Sequence, residues 1–243
     1  MARFENVTIM MGAVDETDSI RNTVSEILRL CNHNDIREII ILRAPHITPE
    51  CSAVVDEIAS LETDVEIVTP NQKVRGLGGL TEVFEIARGS HCLIVASDMA
   101  LDLECVPLMI EKAKENGDVI AKTSRWLPGC RFINYNRFRH IMNFFGQIFL
   151  TVLFGRKMTD FTNPNQLVPT EIYRSVEWES KGFPILLELV LKPVRLGCKF
   201  VEIPSNCYGR EQGKSGNSFG QTAKYFTTAL HIRFMKKADI IKK

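Results

Sequence analysis

The sequence predicts an α/β fold, a mostly parallel central sheet flanked by helices, and three observations carry that expectation. Residues 1–118 alternate short β-branched runs with segments of helical periodicity, the pattern of strands joined by crossover helices. Cys92–Ser97 is an uncharged run that ends in Asp98, as suits a strand buried on both faces. A chain of 243 residues also has the length to bury an ample core. With no repeat and no low-complexity segment, a single α/β unit over residues 1–243 is expected.

Asn6–Met11 reads as the first strand, followed by Gly12 and an acidic turn at Asp15-Glu16. A helix follows, with Ile20, Val24, Ile27, Leu28 and Cys31 on one face. Glu38–Leu42 is a second strand. Thr48-Pro49 then starts a helix to about Ser60, a hydroxyl at the cap and proline in the first turn. Val65–Val68 is a third strand, Pro70–Gly79 a loop, and a short helix to about Arg88 leads into Cys92–Ser97. Val106–Glu115 is helical and Val119–Lys122 a strand.

The second half has a different texture. Between Val119 and Thr159 there is no acid, against seven Lys/Arg. Within it, Asn136, His140, Asn143, Gln147 and Thr151 form a polar stripe at helical spacing, surrounded by bulky apolar residues over Tyr135–Phe154. The apolar face is wider than a surface helix needs. Such a helix lies deep in a core, at a dimer interface, or in a membrane surface with its flanking Arg137, Arg139, Arg156 and Lys157 near lipid phosphates; the basic flanks favour the membrane. Phe183–Leu196 is an apolar helix with one acid, Glu188, and Lys199–Ile203 is a strand. Tyr208–Gly220 is a loop carrying Arg210 and Lys214, and the last helix shows Phe219, Ala223, Phe226, Leu230 and Phe234 on one stripe.

Net charge is +1, but residues 1–118 hold 21 acids and 10 bases while residues 119–243 hold 8 acids and 20 bases. A basic half on a near-neutral chain points to phosphate, on a soluble ligand or at an anionic membrane. Nucleic acid is set aside because no reading motif accompanies the charge. The seven cysteines are scattered without a Cys-x-x-Cys pair, so reduced thiols and a cytoplasmic setting are expected. The start of the sequence lacks a basic-then-apolar leader pattern, and no apolar run approaches the roughly 20 residues that span a bilayer. A location peripheral to the inner face of a membrane fits both observations.

Arg75-Gly76-Leu77-Gly78-Gly79 precedes a helix but departs from Gly-x-Gly-x-x-Gly at Thr81 and lacks a P-loop ending. Its glycines suit close backbone approach to a nucleotide or to a neighbouring strand. Asp98 and Asp102 offer hard oxygen ligands of the kind Mg²⁺ or Mn²⁺ takes when it bridges a diphosphate. Arg210 and Lys214 are cations that would stabilise charge on a departing diphosphate.

The order of these features resembles family-two glycosyltransferases of GT-A fold, in particular the polyprenyl-phosphate sugar transferases similar to dolichol-phosphate mannose synthase. Arg75–Gly79 resembles that family's glycine-rich loop, Ala96-Ser97-Asp98 its Asp-x-Asp motif, and Ser124–Gly129 its Ser-Arg-Tyr-x-x-Gly segment. Asp160-Phe161-Thr162 falls on its Asp-x-Thr-Ser-Gly segment, Leu187-Glu188-Leu189 on its Leu-Glu-Leu helix, and Arg210–Ser215 on its Arg-x-x-Gly-x-Ser loop. The departures are Ala96 in place of the first metal-motif Asp, Leu42-Arg43-Ala44-Pro45 in place of Asp-Asp-Gly-Ser, and Asn163-Pro164 in place of Ser-Gly.

The resemblance implies a nucleotide-sugar-binding half over 1–118 and a basic, acceptor-binding, membrane-facing half over 119–243. It implies inverting, metal-assisted sugar transfer to a lipid phosphate. Asp98 would hold the metal, with Asp102 as a weaker partner. Asp15, Glu16, Arg75, Gly76, Gly78, Ser97, Arg210, Lys214 and Ser215 would serve the donor. Ser124, Arg125, Arg131 and Thr162 would serve the acceptor. Should the acceptor be a sugar hydroxyl, Asp160 is the candidate base and Glu188 the second. A nucleotidyltransferase and a degenerate, non-catalytic binding protein are the rival readings. The sugar, the base and the oligomeric state are not fixed by the sequence.

Overall fold

The computed structural model describes residues 2–100, 102–208 and 219–243, with the backbone course alone for 219–222. The first half runs β1 (Val7–Ala13), α1 (Asp18–Leu30), β2 (Ile36–Arg43), α2 (Pro49–Ala59), β3 (Glu66–Val68), α3 (Glu82–Ile86), β4 (His91–Ile94), α4 (Cys105–Glu115) and β5 (Val119–Ser124). The second half adds β6 (Phe132–Ile133), α5 (Arg137–Phe154), β7 (Gln166–Pro169), α6 (Thr170–Ser175), α7 (Ile185–Leu196), β8 (Lys199–Pro204), β9 (Cys207–Tyr208), α8 (Phe219–Phe234) and α9 (Lys237–Ile240).

Seven strands form the main sheet in the order β3-β2-β1-β4-β7-β5-β8. Every neighbouring pair is parallel except those made by β7, which runs antiparallel to both β4 and β5. The expectation of a mostly parallel sheet flanked by helices is met. Strands β2 and β3 lie on one side of β1 and β4 on the other, so the chain reverses direction across the sheet between β1 and β4. Open α/β sheets bind ligands at the carboxyl ends of strands at such a reversal. The segments that follow β1 and β4 carry Asp15, Glu16 and Asp98.

The local reasons are those the sequence supplies. In α1, Ile20, Thr23, Val24 and Ile27 form the buried face, and each apolar one contributes about 1.5–3 kcal/mol by leaving water. The Thr48 hydroxyl accepts from Cys51 N at 3.2 Å and caps α2, with Pro49 in its first turn. One core cluster packs α1, α2 and α4 on one sheet face, a second packs α3, α6 and α7 on the other, and a third joins α5, α7 and α8. All seven cysteines are free thiols.

Strand β7 and helix α6 were not expected from the sequence. Gln166–Pro169 is short, starts on a polar residue and ends on a proline, so neither alternation nor β-branching marks it. Its Gln166 amide nevertheless has interior partners, donating to Tyr173 Oη at 2.7 Å and Leu189 O at 2.9 Å. Strand β4 closes at Ile94, earlier than the uncharged run suggests, and Asp98 falls in the turn beyond it.

Candidate active site

At the carboxyl ends of β1 and β4, the Ser97 hydroxyl donates to Gly12 O at 2.8 Å and ties the turn after β4 to the end of β1. Asp98 accepts from Ala100 N at 3.2 Å. The next residue, Met99, holds φ at 54°, a left-handed conformation that side-chain-bearing residues avoid, so the chain bends sharply just after the carboxylate. Glu16 folds back on its own turn, accepting from Val14 N at 2.8 Å and Asp15 N at 3.2 Å, while Asp15 is exposed.

Asp102 takes a different place from its partner. Its Oδ2 accepts from Asn206 N at 3.0 Å and Asn206 Nδ2 at 2.7 Å, and its Oδ1 from Tyr208 Oη at 2.8 Å. Both oxygens thus anchor the segment between β8 and β9. Among the described residues no group of three His, Cys, Asp or Glu could hold a metal ion by itself. The donor set around Asp98 fits a hard cation held through one carboxylate together with substrate phosphates, the usual arrangement for Mg²⁺. The described residues alone do not form a preformed protein cage there.

The glycine loop packs against backbone. A Cβ on Gly76 would collide with Lys181 O, and one on Gly78 would lie 2.5 Å from Ser180 O. Gly76 also has φ 81°, and Gly78 N donates to Lys181 O at 3.0 Å. The opposing segment is held from behind by Glu188, fully buried on α7, which accepts from Glu179 N at 3.1 Å and Ser180 N at 2.8 Å. Lys192, one turn on and also buried, lies 3.0 Å from Glu188 and 2.9 Å from Glu179. Arg75 is exposed beside this loop. Arg43, at the end of β2, pairs with Asp56 at 2.5 Å and donates to Ser52 Oγ at 3.0 Å.

At the end of β5, Arg125 and Asp160 form a two-point pair, Nε to Oδ2 at 2.7 Å and Nη2 to Oδ1 at 2.9 Å. The same Nη2 donates to Thr162 Oγ1 at 2.8 Å. Burial by itself would raise the Asp160 pKa, but the charge and hydrogen bonds of Arg125 outweigh it and hold the carboxyl below the ordinary aspartate value. For Arg125 burial works against the charge, and Asp160 overrides it, so the guanidinium stays protonated. The Ser124 hydroxyl lies 2.6 Å from Thr159 Oγ1. Arg131 is exposed, its backbone N donating to Asn206 Oδ1 at 2.9 Å. Arg210, Lys214 and Ser215 lie outside the described residues.

Helix α5 closes this side with its polar stripe turned inward. Gln147 donates to Thr162 Oγ1 at 2.9 Å and to Asn143 Oδ1 at 2.6 Å, and accepts from Phe161 N at 2.7 Å. Asn136 caps the helix by accepting from Arg139 N at 3.0 Å, and the His140 ring packs on Phe132 at 4.3 Å and Trp126 at 4.9 Å. Only Gln147 and Leu150 of α5 are buried. Phe138, Phe145 and Val152 stand 63%, 60% and 79% exposed, and Phe226, Leu230 and Phe234 of α8 continue the bare apolar surface. A deep core position is therefore excluded for this helix. Among the described residues no helix is long and apolar enough to cross a membrane.

The site also uses residues whose role the sequence does not announce. Glu202 on β8 accepts from Thr159 N, Asp160 N and the Thr159 hydroxyl at 2.9–3.0 Å, fixing the turn that carries Asp160. Burial pushes the Cys207 thiol pKa up, Arg125 draws it down, and Asp160 and Asp98 raise it further. Asn143 and Gln147 were visible as a polar stripe; nothing in the local sequence marks Glu202, Asn206 or Tyr208.

Comparison with known proteins places this geometry in a family. The family model of glycosyl transferase family 2 matches residues 8–176. The undecaprenyl-phosphate mannosyltransferase of Micrococcus luteus is 27% identical over 152 residues, covering 60% of this chain and 62% of that protein's length. Glucosyl-3-phosphoglycerate synthase from Mycobacterium tuberculosis, solved with Mn²⁺, UDP and glucosyl-3-phosphoglycerate, superposes with a TM-score of 0.71 at 15% identity. The alignment covers 96% of this chain and 81% of that one. The same enzyme with Mn²⁺, UDP-glucose and phosphoglyceric acid gives 0.70 at 13% identity, with 96% and 81% covered. These likenesses carry the GT-A fold.

Proposed function

Because the chain belongs to glycosyl transferase family 2, we propose that this glycosyltransferase moves a sugar from a nucleotide-sugar donor to a polyprenyl phosphate at a membrane surface. The observation that carries the acceptor is α5, whose polar stripe faces Asp160 and Thr162 while its bulky residues face outward. Arg137, Arg139, Arg156 and Lys157 are exposed at its two ends. Bare apolar surface with cations at its rim suits an anionic bilayer, from which a lipid phosphate reaches the site. The likeness to an undecaprenyl-phosphate mannosyltransferase supports the same reading.

The residues divide the work. Asp98, at the carboxyl edge of the sheet, would hold a divalent cation jointly with the diphosphate; Mn²⁺ stands with UDP in the superposed synthase, and Mg²⁺ has the same ligand preference. When bound, the cation supplies charge neutralisation on the leaving diphosphate. Arg210 and Lys214 would add to that. The segment after β1 (Asp15, Glu16) and Arg75 line the donor side. Ser124, Arg125, Arg131 and Thr162 line the acceptor side. A lipid phosphate is an anionic nucleophile at neutral pH and needs no strong general base, so inverting displacement proceeds by positioning and charge stabilisation. Asp160 then serves as the anchor of Arg125, and Glu188 as the anchor of the segment facing the glycine loop.

The test is transfer from UDP- and GDP-sugars, with Mn²⁺ or Mg²⁺, to undecaprenyl phosphate in vesicles and to 3-phosphoglycerate in solution. Labelled sugar in the lipid fraction is expected, and loss of that label in Asp98→Ala. Transfer to the soluble phosphate alone would replace the lipid acceptor.

A further inference from the structure

We propose that Lys122 is a positioning residue of the transfer site, a buried cation that holds the turn beside the acceptor and keeps that side of the site receptive to an anion. The proposal rests on the acceptor reading above. Lys122 stands on β5, the strand next to the β8 edge of the main sheet, in register with Gln166 of β7 and Glu202 of β8. It is wholly buried, and its ammonium donates to Asn163 O at 2.5 Å. That carbonyl belongs to the turn whose Thr162 meets Arg125. A lone ammonium in a core costs several kcal/mol, so it persists only in a compensating environment.

The surroundings supply that compensation. Asp160 faces Lys122 from the turn, Glu202 from β8 and Arg125 from the end of β5, while β7 presents the neutral Gln166. With Lys122 protonated the four charges cancel. Burial pushes the Lys122 pKa down to about 8; Asp160 opposes the shift, Arg125 adds to it and Glu202 opposes it. Loss of the proton leaves Asp160 and Glu202 facing Arg125 alone, and the cluster becomes net negative where an anionic acceptor must approach. The neutral amine still donates to Asn163 O, so it is the charge that switches.

The experiment compares the full chain with Lys122→Met and with Lys122→Gln, which keeps a donor but no charge. Acceptor KM is followed across pH 8, and nucleotide Kd is measured by calorimetry. The expected result is a roughly tenfold rise of the wild-type acceptor KM as pH passes through about 8. Both variants should show a raised KM that is flat with pH, and an unchanged nucleotide Kd. Variants that keep the wild-type profile, or that weaken nucleotide and acceptor equally, overturn the proposal. If the wild type transfers no sugar to any acceptor, the acceptor reading falls, and Lys122 is judged by heat denaturation instead. Between the folded value of about 8 and the ordinary lysine value of 10.5 the unfolded chain binds more protons. The wild-type midpoint should therefore climb relative to Lys122→Gln as pH rises through that window. A constant difference between the two overturns it.

Discussion

Arg125 engages both oxygens of Asp160, at 2.7 and 2.9 Å, around a carboxylate with no exposure at all. A carboxylate held in this way orients its partner, because the guanidinium engages both of its oxygens. Asp160→Asn leaves a buried guanidinium without its counter-charge, a loss of about 3–5 kcal/mol for a pair of this kind. Urea unfolding near neutral pH should show that loss. The depressed Asp160 pKa adds a sign: its contribution is complete above the ordinary aspartate value and disappears as pH falls through the lower, folded-state value. Wild type and variant should converge in stability only in strong acid. A variant as stable as wild type near neutrality would remove the anchoring role.

Glu188 makes a comparable case behind the glycine loop. Its oxygens take the N–H groups of Glu179 and Ser180, and the segment they fix is the one Gly76 and Gly78 pack against. Glu188→Ala leaves two N–H groups unmatched and Lys192 with Glu179 as its remaining carboxylate, at a cost of about 2–4 kcal/mol. Nucleotide Kd should weaken with it, because the glycine loop loses its backing. Glu188→Gln separates anchor from base. An anchor loses stability and donor affinity together; a base loses turnover in a chain of unchanged stability.

The sequence exposes these relationships unevenly, for physical reasons. Strands β1, β2 and β4, helices α1 and α2, and the turn with Asp98 are legible because apolar periodicity and a capping threonine are local signals. The Asp160 segment is recognisable only by resemblance, because its meaning lies in contacts with Arg125 and Glu202, which are 35 and 42 residues away. Asp102 shows the limit most clearly. Four residues from Asp98 it reads as a second metal carboxylate, yet its oxygens go to Asn206 and Tyr208, over a hundred positions on. Strand β7 escapes because four residues that begin on glutamine and end on proline carry little local pattern and take their register from their neighbours.

The bare face of α5 yields a prediction at the membrane. Phe145 and Val152 contribute little to the interior at 60% and 79% exposure, so Phe145→Asp/Val152→Asp should fold with a heat midpoint near that of wild type. If each side chain is buried in lipid for about 1.5 kcal/mol, the pair carries roughly a hundredfold in vesicle partitioning. Flotation with anionic vesicles should show that drop, and salt should weaken wild-type binding through Arg137, Arg139, Arg156 and Lys157. A wild-type chain that stays unbound at low salt would count against the surface and the lipid acceptor together.

The last prediction concerns the order in which metal and nucleotide bind. Asp102 is committed to the β8–β9 segment, and among the described residues no group of three metal-ligating side chains could hold a divalent ion by itself. On the reading that Asp98 holds the metal, most of the coordination would come from phosphate oxygens and water. Titration of Mn²⁺ into the nucleotide-free chain should therefore give little heat. The same titration in the presence of the donor's nucleoside diphosphate should give a saturable signal, and Mn²⁺ should tighten that nucleotide by roughly tenfold or more. Linkage requires the two effects to be equal. Asp98→Ala should abolish the coupling and keep whatever metal-free nucleotide affinity the glycine-loop side provides, with the heat midpoint unchanged. Tight Mn²⁺ binding to the nucleotide-free chain would reveal a ligand set beyond Asp98, and an intact coupling in Asp98→Ala would move the metal away from the end of β4.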